Sequence, residues 1–306
     1  VTIPNSVTTI GDGAFSSCWS LTSVTIGNSV TTIGDRAFSD CGALLKAPIP
    51  KSVTRIGLAA FADCFSLNAI EVDALNPAYS ALDGVLFSKD RTLLILCPGG
   101  KTVGDYTIPN SVTTIGDYAF YRCRGLTGVT IPNSVTTIAD YAFHYCTSLT
   151  SVTIPNNVTT IRYAAFASCR GLTRVTIGDS VTAIGDYAFD GCIVLTSVTI
   201  PDSVTTIDSL VFSDCTGLTS VHFQGNAPTA SGGVFEHADQ VTVYYLAGTQ
   251  GWGASYAERP TATWLSPLIL SNGPGFGVGA AGFGFLISWA PNASVVVEAG
   301  TKLAHP

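Results

Sequence analysis

The apolar positions of this chain recur on two nested scales, one of alternate residues and one of 23. Stretches such as Leu149-Thr150-Ser151-Val152-Thr153-Ile154 alternate apolar and small polar residues and are rich in β-branched types. That pattern predicts a half-buried strand. Pro155-Asn156-Asn157-Val158 follows. Proline cannot donate to a ladder and the Asn side chains supply local turn bonds, so the chain is predicted to bend there. Val158-Thr159-Thr160-Ile161 reads as a second, shorter extended piece. In segments such as Gly185-Asp186-Tyr187-Ala188-Phe189, Asp is expected to act as N-cap of a single helical or 3₁₀ turn that delivers Phe and Cys inward.

The longer period is carried by whole columns of side chains. Phe stands at 15, 38, 61, 120, 143, 166, 189 and 212, and Cys follows three residues later each time. Leu126, Leu149 and Leu172, Val112, Val135 and Val158, and Ile115, Ile138 and Ile161 keep the same step. Equivalent side chains therefore lie above one another in successive units. A single unit cannot close both sides of its apolar layer, so units are predicted to stack about 4.8 Å apart with their strands paired in parallel. The fold class this implies is a mostly β member of the α/β solenoids, built from coils of about 23 residues.

The unit resembles the BspA-type leucine-rich repeat of bacterial and protist surface proteins, also called the Treponema-like leucine-rich repeat. Leu149 to Ile161 carries the likeness most closely, and it extends over residues 1 to about 264. Asp83-Gly84-Val85-Leu86-Phe87, inside the irregular stretch Val72 to Tyr106, looks like the long degenerate unit such arrays often carry. The resemblance implies a curved, right-handed solenoid, an extracellular or cell-surface setting, and adhesion or binding as the role. It implies no particular ligand.

Three regions are expected. Residues 1–226 form the solenoid, with the irregular unit at 72–106 and a bend or bulge beside it. Residues 227–264 form a degenerate closing repeat in which Trp252, Tyr256 and Trp264 cover the last apolar layer. Residues 265–306 are Gly-rich, with β-like runs at Phe283 to Trp289 and Ser294 to Glu298. Two strands seldom fold alone, so this segment is either a β-sandwich cut short or a donor of strands to another molecule. The first coil, opening at Val1 and Ile3, offers a complementary edge. Phe283, Phe285, Ile287, Val295 and Val297 are the candidate donors for head-to-tail association, which generates fibres when it does not close.

Composition narrows the function. The chain is 46% hydrophobic and 11% charged, with a formal charge of -7. Its 14 Lys and Arg are scattered, which argues against a nucleic-acid partner. The N-terminus lacks the basic start and apolar run of a signal peptide and reads as that of a processed or truncated chain. Phe276 to Ala290 is too short and Gly-rich for a membrane span and reads as paired strands. No acid, base and nucleophile are brought together by spacing, so no enzyme, cofactor or metal site is expected. Gly277 to Gly282 formally fits G-x-G-x-x-G, but a strand-like run follows where a helix should open.

Several surfaces remain as candidates. The outward strand positions Ser23, Thr25, Thr130, Ser151, Thr153, Thr176, Ser197, Thr199 and Ser220 form a regular array of hydroxyls suited to a protein or glycan. An ice surface is the competing reading, opposed by curvature and by Glu71, Arg174 and His222. Asp12, Asp35, Asp117, Asp140 and Asp186 share a column that could gather Ca²⁺ or simply cap turns. Tyr118, Tyr141 and Tyr187, with Arg36, Arg122, Arg124, Arg162, Arg170 and Arg174 nearby, form either a convex recognition patch or ordinary solvated surface. The Cys column, without C-x-x-C and odd in number once Cys97 is added, reads as core packing. Asn157-Val158-Thr159 and Asn292-Ala293-Ser294 fit the glycosylation sequon.

Overall fold

The computed structural model describes residues 1–101 and 104–264, together with the backbone of four short strands at Leu268–Leu270, Gly277–Gly279, Gly282–Gly284 and Leu286–Ser288. The chain winds into a mostly β solenoid. Each coil contributes one strand to a first parallel sheet, for example Ser151–Thr153 and Arg174–Thr176, and a two-residue strand to a second, for example Thr137–Ile138 and Thr160–Ile161. Register follows the 23-residue step: Thr2 faces Thr25, Val152 faces Val175 and Ser197 faces Ser220. The apolar columns point inward, and the Phe rings from Phe120 to Phe235 stack face to face at 4.8 to 5.8 Å between centroids.

The third side of each coil is not helical. Among the described residues there is no helix, and the expected helical turn is replaced by a run of β-turns. Alternate amides serve two purposes along this ridge. Ala119, Tyr121 and Cys123 donate to the carbonyls three residues back, while Tyr118, Phe120 and Arg122 donate to Asp140, Ala142 and His144 of the next coil. Bonding every second N–H to the next coil requires positive φ at two ridge positions per coil, such as Tyr141 (56°) and Tyr145 (59°). The inter-coil bonds hold these non-glycine residues in a region that L side chains rarely adopt.

The Asp column is corrected by the same geometry. Asp12, Asp35, Asp117 and Asp186 do not cap their own turns. Their Oδ1 atoms accept the amides of Asp35, Leu58, Asp140 and Ser209, each one coil further on. Asp186→Ala should therefore cost about 1 kcal/mol, measurable as a lower urea midpoint. Asp186→Asn keeps an acceptor oxygen and should recover most of it.

The irregular stretch is a meander of three antiparallel strands, Tyr79–Leu82, Val85–Ser88 and Leu93–Leu96. Asp83 and Gly84, at φ 50° and 78°, make the two-residue turn between the first two. Pairing shifts register between Leu94 and Leu96. The middle strand divides the interior. Leu86 packs into the core of the first coils, whereas Val85 and Phe87 pack into that of the later ones. Buried Asn76 fastens the meander to the third coil: its Nδ2 donates to the Pro50 and Val53 carbonyls and its Oδ1 accepts from Ala78 and Tyr79.

At the far end, Trp252 and Tyr256 lie 4.9 and 5.3 Å from the Phe223 ring and close the apolar layer. Trp264 instead sits over His222 on the outward face of the sheet. Beyond it, Gly277–Gly279 pairs antiparallel with Gly282–Gly284, and Leu268–Leu270 with Leu286–Ser288. Gly277–Gly279 and Gly282 of the glycine-rich motif thus lie in paired strands. Ser294 to Glu298, with Val295 and Val297, lies outside the described residues, as does Phe285.

Candidate functional site

Three hydroxyl columns run along the solenoid, and hydrogen bonding distinguishes them. Thr136, Thr182 and Thr205, each just before a short strand, donate Oγ1 to the backbone carbonyl of the equivalent residue one coil earlier. Thr150, Thr173 and Thr219, at the entry to the long strands, do the same at 3.0 to 3.2 Å. These hydroxyls are used internally. The outward positions differ: Ser23, Thr25, Thr130, Ser151, Thr153, Thr176, Ser197 and Thr199 are exposed and Ser220 is half-buried. Among the described residues none of these hydroxyls has a protein hydrogen-bond partner, so their donors and acceptors face solvent.

They stand there because the parallel ladders alternate. Val152, Val175 and Val198 are buried on one side of the sheet while Ser151, Thr153, Thr176, Ser197 and Thr199 project from the other. The column that contains Thr199 continues through His222 and Tyr244, paired in register and stacked at 4.9 Å. With Trp264 at 4.9 Å from His222, an aromatic cluster ends the hydroxyl face. Burial lowers the His222 pKa and so favours the uncharged ring. From the sequence alone His222 reads as an interruption of the face and Trp264 as a cap on the last apolar layer. The structure joins them on the candidate face, a juxtaposition that the alternation of Val241-Thr242-Val243-Tyr244 could have suggested. In the coils before the irregular stretch the corresponding face carries, beside Ser23 and Thr25, the exposed Lys46–Glu71 ion pair.

The Tyr column is continuous on the ridge. Tyr118 stacks on Tyr141 at 4.8 Å, and Tyr163, which replaces Asp one column away, bridges Tyr141 to Tyr187. Of the nearby arginines, Arg122 pairs with Asp63 at 2.9 Å and lies over the Tyr121 and Tyr145 rings, and Arg124 lies over Phe65.

All nine cysteines are unpaired thiols, eight buried and Cys18 exposed. Cys41, Cys64, Cys146, Cys169, Cys192 and Cys215 each donate Sγ–H to the carbonyl of a Phe one coil earlier. Cys97 lies just beyond the strand Leu93–Leu96 and off the Cys column. Its amide bonds Ala119, the bond a Phe makes in a regular coil, so it occupies the Phe position of the irregular unit. Among the described residues no group of His, Cys, Asp or Glu could hold a metal ion, and no helix is long and apolar enough to cross a membrane.

At the candidate assembly ends, Ile3 is buried and the Val1 amino group donates to the Ser23 carbonyl. Phe283 and Ile287 fall within described strand backbone, whereas Phe285, Val295 and Val297 lie outside the described residues.

Comparison with known proteins agrees with this architecture. The chain matches the family described as BspA type Leucine rich repeat region in six copies, over residues 1–81, 100–219 and 136–250. A leucine rich cell surface protein from Faecalibacterium prausnitzii is 38% identical with a TM-score of 0.69, over 74% of this chain and 59% of that one. A leucine-rich repeat protein from Eubacterium ventriosum is 26% identical with a TM-score of 0.56, over 77% of this chain and 82% of that one. The pneumococcal vaccine antigen PcpA, at 23% identity and a TM-score of 0.59 over 81% of this chain and 62% of that one, shares the fold. The chain thus spans less than two thirds of the Faecalibacterium and pneumococcal proteins. No curated protein matches it. The chain belongs to the BspA-type leucine-rich-repeat family.

Proposed function

We propose that the chain is a non-enzymatic, extracellular or cell-surface binding protein whose hydroxyl-rich sheet face contacts a protein or glycan. The observation that carries this reading is the difference between the Thr columns that satisfy themselves and the outward Ser and Thr that do not. A rigid sheet offering unspent donors and acceptors at about 4.8 Å intervals suits a repeating polar ligand. The aromatic cluster of His222, Tyr244 and Trp264 adds apolar stacking at one end, the combination found at binding hot spots. The cell-surface description of the Faecalibacterium relative supports the setting.

The test is a screen of the purified chain on glycan and matrix-protein arrays, repeated with Thr153→Glu/Thr176→Glu. Both positions are exposed, but they face each other in register, so the two like charges should together lower stability by about 1–2 kcal/mol, and circular dichroism checks that the double variant is folded. Binding to the captured ligand should fall at least about tenfold, equal to about 1.4 kcal/mol. Undiminished binding by the folded double variant would rule out this face.

A second reading, a fibre subunit that joins head to tail, is favoured by one feature. The amides of Gly233, Phe235 and His237 occupy the ridge positions that donate to a following coil elsewhere, and among the described residues they have no acceptor. Negative-stain microscopy separates the two readings, with short curved particles expected for the binder and continuous thin fibres for the subunit.

A further inference from the structure

The irregular unit takes a short cut past the ridge. Its Leu94 pairs with Ile115, and its Cys97 amide already bonds Ala119. Only Ile95 and Leu96 therefore stand where a regular coil places Gly116 to Ala119. The third coil is left without a neighbour along its ridge, and a cavity of about 210 Å³ opens between that ridge and the irregular unit. Its lining is mainly apolar, including Ile56, Leu58, Ala60, Leu86 and Leu96.

Polar groups converge on this cavity. In the preceding coil the amides of Arg36, Phe38 and Asp40 donate to Leu58, Ala60 and Ala62. The equivalent amides of Ala59, Phe61 and Asp63 have no acceptor among the described residues. Ala59 and Asp63 hold φ of 53° and 60°, as in the other coils where every second ridge N–H turns toward the following coil, and free N–H groups held in turn conformations receive anions. Arg122 stands at the same cavity with Nη1 2.9 Å from Asp63 Oδ1, an ion pair, and among the described residues both that oxygen and the buried Arg122 Nε lack a well-formed hydrogen bond. Rings of Tyr121 and Tyr145, 5.3 and 5.0 Å from the guanidinium carbon, hold it in place.

We propose that this cavity is a binding site for a small monocarboxylate with an apolar body. The carboxylate accepts from the Phe61 and Asp63 amides and from Arg122 Nε, and Arg122 keeps Asp63 on its other edge. The hydrocarbon part lies against Leu58, Ala60 and Leu96. An apolar cavity of about 150 Å³ suffices for benzene, so a chain of about six carbons fits here. The site is separate from the outward sheet face and does not depend on what that face binds.

Hexanoate is the probe, titrated into the full chain by calorimetry, with hexan-1-ol as the uncharged control. Saturable binding at one site is expected, with hexanoate about tenfold tighter than the alcohol because charge-assisted hydrogen bonds are lost in the control. Ala60→Leu fills the cavity and should abolish binding; its column already accepts Val211 and Val234 in other coils. Arg122→Gln should remove the preference for hexanoate over the alcohol, and it stands as the second variant should Ala60→Leu not fold. Absence of saturable hexanoate binding, equal affinity for the two probes, or unchanged binding in folded Ala60→Leu would each overturn the assignment.

Discussion

Phe166→Ala is expected to lower the free energy of unfolding by about 3–5 kcal/mol. The ring is fully buried, with Phe143 at 5.1 Å on one side and Phe189 at 5.5 Å on the other. Neither neighbour can relax fully into the void, because the Phe143 and Phe189 amides are tied to the next ridges by bonds of 2.8 and 3.0 Å to the Ala165 and Val211 carbonyls. Phe15→Ala should cost clearly less, since Phe15 is half-exposed and has one stacking partner, Phe38. Urea denaturation followed by aromatic fluorescence measures both. Because repeat stability is approximately a sum of coil and interface terms, the central substitution should also separate the unfolding of the coils on its two sides. A cost near 1 kcal/mol for Phe166→Ala would show that the ring stack does not carry the core.

The second large effect concerns the thiols. In native protein at pH 8, one thiol per chain, Cys18, should react with a disulfide reagent, and all nine after unfolding. The thiolate is the reactive species. Burial pushes Cys41 up to about 11 and Cys64 and Cys169 up to about 12, and it raises Cys146 and Cys192 as well. A thiol whose folded pKa is raised binds its proton more tightly when folded. Its contribution is fully present below the ordinary value of 9.0 and is lost as pH rises toward 11 and 12, where only the unfolded chain has already ionised. Stability should therefore decline from about pH 9 upward. Rapid labelling of eight or nine native thiols would contradict the buried column.

Much of this fold was legible from spacing because equivalent residues really do pair: a step of 23 in sequence is one rung in both sheets. Two parts were not. Asp before a short apolar segment has the same sequence signature whether it caps its own turn or the next coil's, and the inter-coil choice depends on a neighbour absent from any one repeat. Non-glycine residues such as Tyr118 and Arg122 gave no warning of positive φ, since the cost is met by bonds to the following coil. The meander left clearer traces. Asp83-Gly84 is a hairpin signal, and the unbroken run Val85-Leu86-Phe87 suits a strand buried on both faces. Of the candidate site, the outward hydroxyls were readable from alternation. That the neighbouring Thr columns spend their hydroxyls internally was not, because only the stack brings those carbonyls within reach.

The registered stack is tested most directly by spin-label distances. In a Cys18→Ser background, a label at Thr107→Cys is paired in turn with labels at Thr153→Cys, Thr176→Cys and Thr199→Cys, all exposed on the same face. The account predicts separations that grow by about 4.8 Å for each coil added, reaching about 19 Å at Thr199. Distances that do not rise in equal steps, or that spread as they would between independently folded units, would contradict it.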